Sequence, residues 1–180
     1  MRSFLAIELP ESLVSELTEL QARLPVGRKM PEENLHLTLA FLGDQSGEAL
    51  EDLHFRLQRL QAAPFELTLS GLDCFGGRNP RGLAIMADKN RAIAQLHHQI
   101  HSALNASGLQ PRRERFRPHV TLARFGRSLS EAELHRLQGF LGEWLDYRAR
   151  PVLVHSFSMF RSTLGPGGAV HDILGQYSLN

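Results

Sequence analysis

The chain has 180 residues, 42% hydrophobic and 22% charged, the composition of an ordinary globular protein with one large domain or two small lobes. A formal net charge of only +1 excludes a global field that would draw it onto nucleic acid, so affinity for phosphate must come from local basic clusters. The single cysteine excludes an intrachain disulfide, and no apolar run suits a signal peptide or membrane span, so we expect a cytoplasmic protein without membrane contacts.

The first half of the chain alternates short strands with amphipathic helices. Apolar runs and alternation predict strands at 4–9, 35–42, 65–69 and 83–87. Pro10 ends the first strand and opens a helix, and Ser46 is the expected N-cap of a second helix. Both helices are predicted from leucines that recur on one face: Leu13, Leu17, Leu20 and Leu24, then Leu50, Leu53, Leu57 and Leu60.

The second half repeats this alternation. A third helix is predicted over 90–104, and an arginine-rich connection at 112–117 leads into a strand at 119–125. Ser130 with Glu133 forms a capping-box pattern that opens a fourth helix, which carries Leu134, Leu137, Leu141 and Leu145 on one face. Further strands are predicted at 152–154, 157–160 and 170–174, with a turn at 165–168. Four helices among short alternating strands indicate an α+β fold.

Two segments of the chain resemble each other. Residues 36–43 (HLTLAFLG) align with residues 119–126 (HVTLARFG) at a constant offset of 83, with His, Thr, Leu, Ala and Gly at matched places. Each segment is a predicted strand, followed by a turn and then by a helix with a serine at its expected N-terminal cap. This pattern predicts one domain over 1–180 with an internal duplication, and hence two lobes related by an approximate two-fold axis.

The duplication places four polar side chains together. Residues i and i+2 of a strand project from the same face, so His36 and Thr38 share a face, as do His119 and Thr121. The residues between them are apolar and are expected to face the core. If the two strands face one another across a groove, two imidazoles and two hydroxyls converge. The alternative is a duplicated structural motif whose histidines cap the strands of a symmetric core.

Two histidines and two threonines suit phosphodiester chemistry. One imidazole takes a proton from the attacking water and the other gives a proton to the leaving alkoxide, since the ordinary histidine pKa of about 6.5 allows both states near neutral pH. The threonine hydroxyls can donate hydrogen bonds to the non-bridging oxygens. A strained cyclic phosphate needs no metal for this reaction, and the sequence lacks the acidic cluster of a two-metal site. We therefore expect no metal and no cofactor.

At these residues the chain resembles the 2H phosphoesterase superfamily and, within it, the bacterial RNA 2′,3′-cyclic phosphodiesterases, once named 2′-5′ RNA ligases. The resemblance lies in residues 2–10 (RSFLAIELP), 34–43 (NLHLTLAFLG) and 115–124 (RFRPHVTLAR), and it spans nearly the whole chain. It implies an α+β, bilobal pseudo-two-fold fold, with two antiparallel-sheet lobes and outer helices around a central cleft. One departure is His171, which stands where the family tends to place a tyrosine after a glycine-rich turn.

The resemblance also implies an activity. It is the hydrolysis of RNA 2′,3′-cyclic phosphate ends to 2′-phosphates, with a weak reverse 2′-5′ ligase reaction. His36 would be the proton donor to the leaving group and His119 the proton acceptor that activates water. The partner would be an RNA with a 2′,3′-cyclic phosphate end, or a cyclic nucleotide, and no obligate protein partner is evident.

Further residues are candidates for binding the substrate. Arg115 and Arg124 belong to an arginine cluster around the second motif and suit phosphate recognition, since a guanidinium can engage two oxygens at once. In a regular strand Arg124 does not share a face with His119, so reaching the phosphate requires a bulge or a bend. Phe41 and Phe116 flank the motifs and either stack a base or pack in the core. The other members of the cluster are Arg112, Arg113, Arg117 and Arg127.

Other readings remain open. His97 and His101 have the i, i+4 spacing of a zinc pair, but no third ligand is evident and we expect a polar helix face.

A different 2H specificity, such as cyclic ADP-ribose phosphate opening or true RNA end joining, would use the same motifs. A non-catalytic RNA-end-binding module would keep the groove, but it would have no chemical need for both histidines.

Overall fold

The computed structural model describes residues 1–110, 115–166 and 168–180. Its helices are α1 (Glu11–Arg23), α2 (Gly47–Leu57), α3 (Arg91–Ala106) and α4 (Glu131–Trp144), and a short 3-10 turn spans Glu32–Asn34. Its strands are β1 (Arg2–Glu8), β2 (Arg28–Lys29), β3 (His36–Asp44), β4 (Phe65–Leu67), β5 (Leu69–Phe75), β6 (Gly82–Ala87), β7 (His119–Arg124), β8 (Val152–Val154), β9 (Ser156–Gly165) and β10 (Gly168–Ser178). The α+β class predicted from the sequence is confirmed.

The helices begin where the sequence places their caps. The Ser46 hydroxyl accepts a hydrogen bond from the amide of Ala49 at the start of α2. Ser130 and Glu133 form a complete capping box at the start of α4. Most of the predicted leucine stripes are buried in one core, but Leu145 lies beyond the end of α4 and is 50% exposed, so it does not extend the buried stripe of that helix.

One antiparallel sheet carries both halves of the molecule. Its strand order is β10-β9-β1-β3-β7-β6-β5, with β2 also paired to β7, and a separate pair joins β4 to β8. The two strands that carry the repeated motif, β3 and β7, are neighbours that meet at a single pair, Leu37 opposite Val120. The two lobes are therefore joined at the centre of the sheet, and the strands diverge on either side of that pair.

The last hairpin and the strand near residue 65 differ from the sequence prediction. The predicted strand at 65–69 is divided between β4 and β5, and β5 continues to Phe75. The hairpin strands β9 and β10 are much longer than predicted. The sequence prediction was too short because several apolar side chains in these strands are exposed and obscure the alternation of polar and apolar residues: Leu164, Val170, Ile173 and Leu174. Of the predicted turn at 165–168, Gly167 lies outside the described residues.

A bulge occurs at the same place in both copies of the motif. Leu39 has no partner on β1, where Leu5 pairs with Ala40 and Ala6 with Thr38. Leu122 likewise has no partner on β6, where the pairing passes from Ala123 to Thr121. These two leucines are 83 residues apart, which is the offset of the repeat. Matched bulges are what an internal duplication would produce, although the duplication itself stays a prediction.

The bulges change which side chains face the cleft. An extra residue in one strand reverses the alternation beyond it. Phe41 and Arg124, which regular strands would turn into the core, therefore face the same side as His36 and His119. The structure contains the bulge that the sequence analysis required for Arg124 to reach that side.

A buried glutamine holds the second bulge in place. Gln21 of α1 is 3% exposed, and its Nε2 donates hydrogen bonds to the carbonyls of Leu122, at 2.7 Å, and Met30, at 2.9 Å. The Leu122 carbonyl also accepts from the backbone amide of Met30. The unpaired residue of the bulge is thus tied to α1 and to the segment after β2.

No helix in the described ranges has the length and apolarity needed to cross a membrane.

Replacing Gln21 with leucine should lower the free energy of unfolding by about 1–3 kcal/mol, because two buried carbonyls lose a donor. Urea unfolding followed by circular dichroism measures the change. Gln138 is exposed on α4 and gives a matched control, whose leucine variant should stay within about 0.5 kcal/mol of wild type. Equal losses in the two variants would contradict the role assigned to Gln21.

Candidate active site

The four motif side chains lie on the face of the sheet opposite the main core. Leu37 and Val120 are fully buried, whereas His36, Thr38, His119 and Thr121 are half-buried. The strands run antiparallel through the Leu37–Val120 pair. His36 and Thr121 therefore lie on one side of that pair, and Thr38 and His119 lie on the other. The structure therefore brings both histidines and both threonines into one cleft, in a crossed arrangement.

His36 lies in an aromatic environment. Its ring stacks on Phe4, with centroids 4.9 Å apart, and Phe160 lies beyond at 6.3 Å. His171 of β10 approaches edge-on at 5.3 Å from His36 and 4.9 Å from Phe4. The position that departs from the family pattern is thus in direct contact with the first motif histidine.

The surroundings of His36 disfavour its charged form. Burial lowers the pKa of His36 to about 4, and His171, Arg124 and His119 act in the same direction through their charges. A backbone hydrogen bond with Asn34 acts the other way. With a pKa of about 4, His36 is neutral at pH 7 in these surroundings, and a nearby negative charge would be needed to stabilise its protonated form.

His119 is oriented by its own strand. Its Nδ1 lies 2.6 Å from the backbone carbonyl of Arg117, and since a carbonyl only accepts, Nδ1 carries the hydrogen. In the neutral ring this leaves Nε2 with a free lone pair. The Phe75 ring packs 4.6 Å from His119, and Arg117 forms an ion pair with Asp73. Contacts from strand β5 therefore hold residues 117–119 in place and fix the orientation of the His119 ring.

A basic pair lies farther along the cleft. Strand β2 pairs with β7 so that Arg28 is opposite Arg124, which places both side chains on the same face. A Cβ atom added at Gly168 would lie 3.6 Å from Nη2 of Arg28, so this guanidinium also borders the tip of the β9–β10 hairpin. Sequence reasoning missed Arg28 because β2 has only two residues and no pattern of its own.

The β9–β10 hairpin covers one side of the cleft. His171 contacts the His36 ring, and farther along the same strand the carbonyl of Ala169 accepts a hydrogen bond from Nδ2 of Asn34 at 3.1 Å. Asn34 is buried just ahead of β3. The hairpin therefore reaches over His36 and is tied down beside the first motif.

The remaining predicted residues differ in their surroundings. Phe41 is 66% exposed on the cleft side, with its ring 6.4 Å from Phe4. Arg115 is exposed in the connection before β7, while the predicted cluster members Arg112 and Arg113 lie outside the described residues. Phe116 is half-buried and stacks on His97 of α3 at 3.7 Å, so it serves packing.

The helix histidines form a packing cluster. His97 lies between Phe116 and His101, whose ring centroid is 4.1 Å away. Burial lowers the pKa of His97 to about 4, with His101 and His98 acting in the same direction. Within 1–110, 115–166 and 168–180, no three His, Cys, Asp or Glu side chains are arranged so that they could hold a metal ion.

Two neighbouring antiparallel strands that each carry a His-x-Thr motif, with the four polar side chains on one face of the sheet, have the arrangement expected of a 2H phosphoesterase. A model of the family described as the 2′-5′ RNA ligase superfamily matches residues 9–161. The chain belongs to this superfamily, which confirms the resemblance seen in the sequence.

Relatives cover almost the whole chain. The RNA 2′,3′-cyclic phosphodiesterase of Thermus thermophilus is 33% identical over 99% of this chain and 90% of its own length. The protein of the same name from Escherichia coli is 30% identical over 99% of this chain and 96% of its own length. A crystal structure of a Thermus thermophilus protein superposes with a TM-score of 0.79 at 29% identity, covering 99% of this chain and 98% of that one.

In an NMR titration the imidazole of His36 should stay neutral from pH 8 down to about pH 5 and protonate near pH 4, because burial and neighbouring cations oppose its charge. His171→Gln should raise the midpoint, since it removes the neighbour whose charge lowers the pKa of His36 most. His135→Gln, at an exposed position of α4, is the control and should leave it unchanged. A wild-type midpoint near the ordinary value of about 6.5 would contradict this description of the cleft.

Proposed function

We propose that this protein hydrolyses RNA 2′,3′-cyclic phosphate ends to 2′-phosphates, by a two-histidine acid/base mechanism that needs no metal. The observation that carries the proposal is the crossed arrangement of His36, Thr38, His119 and Thr121 around the Leu37–Val120 pair. The relatives named RNA 2′,3′-cyclic phosphodiesterase, similar over nearly the full chain, support the choice of substrate.

The two histidines take opposite roles in this mechanism. Nε2 of His119 takes a proton from water, and the water oxygen attacks phosphorus in line with the bond to O3′. That bond breaks, His36 gives its proton to O3′, and the phosphate stays on O2′. The Nδ1–H of His119 suits it to be the base, because in the neutral ring the hydrogen bond to the Arg117 carbonyl keeps the hydrogen on Nδ1 and leaves the Nε2 lone pair to accept a proton. The family resemblance favours the same assignment.

The low pKa of His36 is compatible with its role as the acid. Among the protein groups around it this ring is neutral at pH 7. A cyclic phosphate diester carries one negative charge, and an anion within a few ångströms favours the imidazolium form. The substrate therefore brings the charge that lets His36 hold its proton, and the ring gives the proton up readily once the leaving oxygen becomes basic.

The other cleft residues hold the substrate. The hydroxyls of Thr38 and Thr121 donate to the non-bridging oxygens as charge builds on them. Arg124, turned to the cleft by its bulge, adds a fixed positive charge, and Arg28 beside it extends this field toward the next phosphate of the chain. Phe41 offers an exposed ring on which a base can stack. Arg115 lies at the rim, where it attracts the RNA backbone.

The same groups would support a weak ligase reaction. If the 5′-hydroxyl of a second RNA replaces water, His119 deprotonates it and attack on phosphorus again expels O3′. The product is a 2′-5′ phosphodiester. Its formation depends on the second RNA competing with water, so hydrolysis dominates. A cytoplasmic location and the absence of an obligate protein partner stay predictions.

Hydrolysis of an RNA oligonucleotide that ends in a 2′,3′-cyclic phosphate, in excess chelator, tests the proposal. Wild type should release the 2′-phosphate, and His36→Ala and His119→Ala should each lose about 10²–10⁴-fold in kcat. His98→Ala, at an exposed position of α3, is the matched control and should retain full activity.

Other outcomes would lead elsewhere. Tight RNA binding without turnover in the wild type would indicate a non-catalytic RNA-end-binding module. Turnover that survives both histidine substitutions would place the active site outside this cleft. Activity abolished by the chelator would contradict the metal-independent mechanism.

Thr38→Val and Thr121→Val should each lower kcat by about 10²–10³-fold, because each removes one donor to the charged transition state. The serine variants should recover most of the activity, since they restore a hydroxyl. Thr163 is exposed on β9, and Thr163→Val serves as the control. A loss confined to KM would mean that the hydroxyls bind the ground state and the transition state equally.

A further inference from the structure

A pocket of about 250 Å³ opens at the end of β1. Its polar lining is formed by Glu8, His155, Ser156 and Gln176, and the rest of its lining is apolar and includes Pro10 and Leu153. Sites for drug-sized ligands measure about 300–1,000 Å³, so this pocket suits one ring system and not a whole nucleotide. The mechanism above uses none of its residues.

The pocket adjoins the catalytic histidine. Glu8 is the register partner of His36 on the neighbouring strand, which sets their Cα atoms about 5 Å apart. Strand alternation places Glu8 on the same face as Phe4, the residue that stacks on His36. The polar lining is therefore a continuation of the cleft face.

Strands β9 and β10 extend this face away from His36. Ser158 is opposite Ala6 of β1, and Gln176 is opposite Ser158, so both share the cleft side. Ser158 is fully buried and its hydroxyl donates a hydrogen bond to Oε1 of Glu8. That bond directs the carboxylate of Glu8 away from the His36 ring and toward the pocket.

The charge of Glu8 decides what the pocket can bind. Among the described residues Glu8 takes part in no salt bridge, and the carboxylate has acceptor positions left after the bond from Ser158. An ionised carboxylate repels phosphate and accepts from N–H groups. The ligand is thus a neutral ring that presents donors, which in an RNA substrate is the edge of a base.

We propose that this pocket binds the base of the nucleotide that carries the cyclic phosphate and that Glu8 makes guanine the preferred base. Guanine alone presents two adjacent donors, N1–H and the N2 amino group, which one carboxylate accepts together. The amide of Gln176 can donate to O6, and Pro10 and Leu153 pack against the ring faces. This inference rests on the proposed function for its substrate, and it adds a specificity to it.

Four oligonucleotides that differ only in the last nucleotide test the proposal. Wild type should show a kcat/KM for the guanosine end about tenfold or more above those for the other three ends, the discrimination expected of a paired contact to one base. Glu8→Gln should reduce this ratio to near one, because the amide turns a donor toward N1–H. Glu11→Gln, exposed at the start of α1, is the matched control and should keep the wild-type ratio.

A second measurement is independent of turnover. Titration of the protein with guanosine 2′-monophosphate and, separately, with the adenosine, cytidine and uridine nucleotides, followed by NMR, should show the tightest binding for guanosine. Shifts should include the amide of Gln176, and Glu8→Gln should remove the difference. Circular dichroism confirms that the variant is folded.

The outcomes separate the two proposals. Equal kcat/KM values for the four ends, or a guanosine preference that survives Glu8→Gln, would overturn the role of the pocket and leave the hydrolase intact. Absence of hydrolysis with every end would overturn the proposed function. In that case the nucleotide titrations still decide whether the pocket selects guanine.

Discussion

The geometry of the cleft depends on one contact, the pairing of Leu37 with Val120 at the centre of the sheet. These residues occupy equivalent places in the two His-x-Thr motifs, each directly between the histidine and the threonine. Both are fully buried, and their neighbours on either side are turned to the opposite face. A shift of one residue in this register would move the histidines and threonines to the core side, which is why burial of two apolar side chains fixes a polar site.

The bulges at Leu39 and Leu122 add what a regular sheet could not provide. Each bulge reverses which side chains of its strand face the cleft, so one more side chain beyond the bulge points to the cleft side. The two delivered residues differ in chemistry: Phe41 is aromatic and Arg124 is cationic. A symmetric backbone therefore holds an asymmetric site, in which one end can stack a base while the other attracts phosphate.

The sequence predicted those features whose signal is local or repeated. Leucine periodicity and caps located the helices, and the repeat located both motif strands and the face that they share. It could not predict β2, since Arg28 and Lys29 have no pattern of their own and their pairing with β7 lies next to tertiary contacts of Gln21 with Met30 and Leu122. The sequence also did not predict the length of the β9–β10 hairpin, because both faces of its outer part are exposed and the residue pattern there is like that of a loop.

The position of β1 affects how the protein is made. This strand lies between β3 and β9, so Phe4 stacks on His36 and on Phe160, which is separated from it by more than 150 residues. The environment of His36 is complete only when β9 and β10, the last strands of the chain, are in place. During synthesis the surroundings of His36 must wait for residues 156–178, and contacts of such long sequence separation form slowly. A nascent chain that stalls before residue 156 would therefore expose one edge of β1 to unwanted strand pairing.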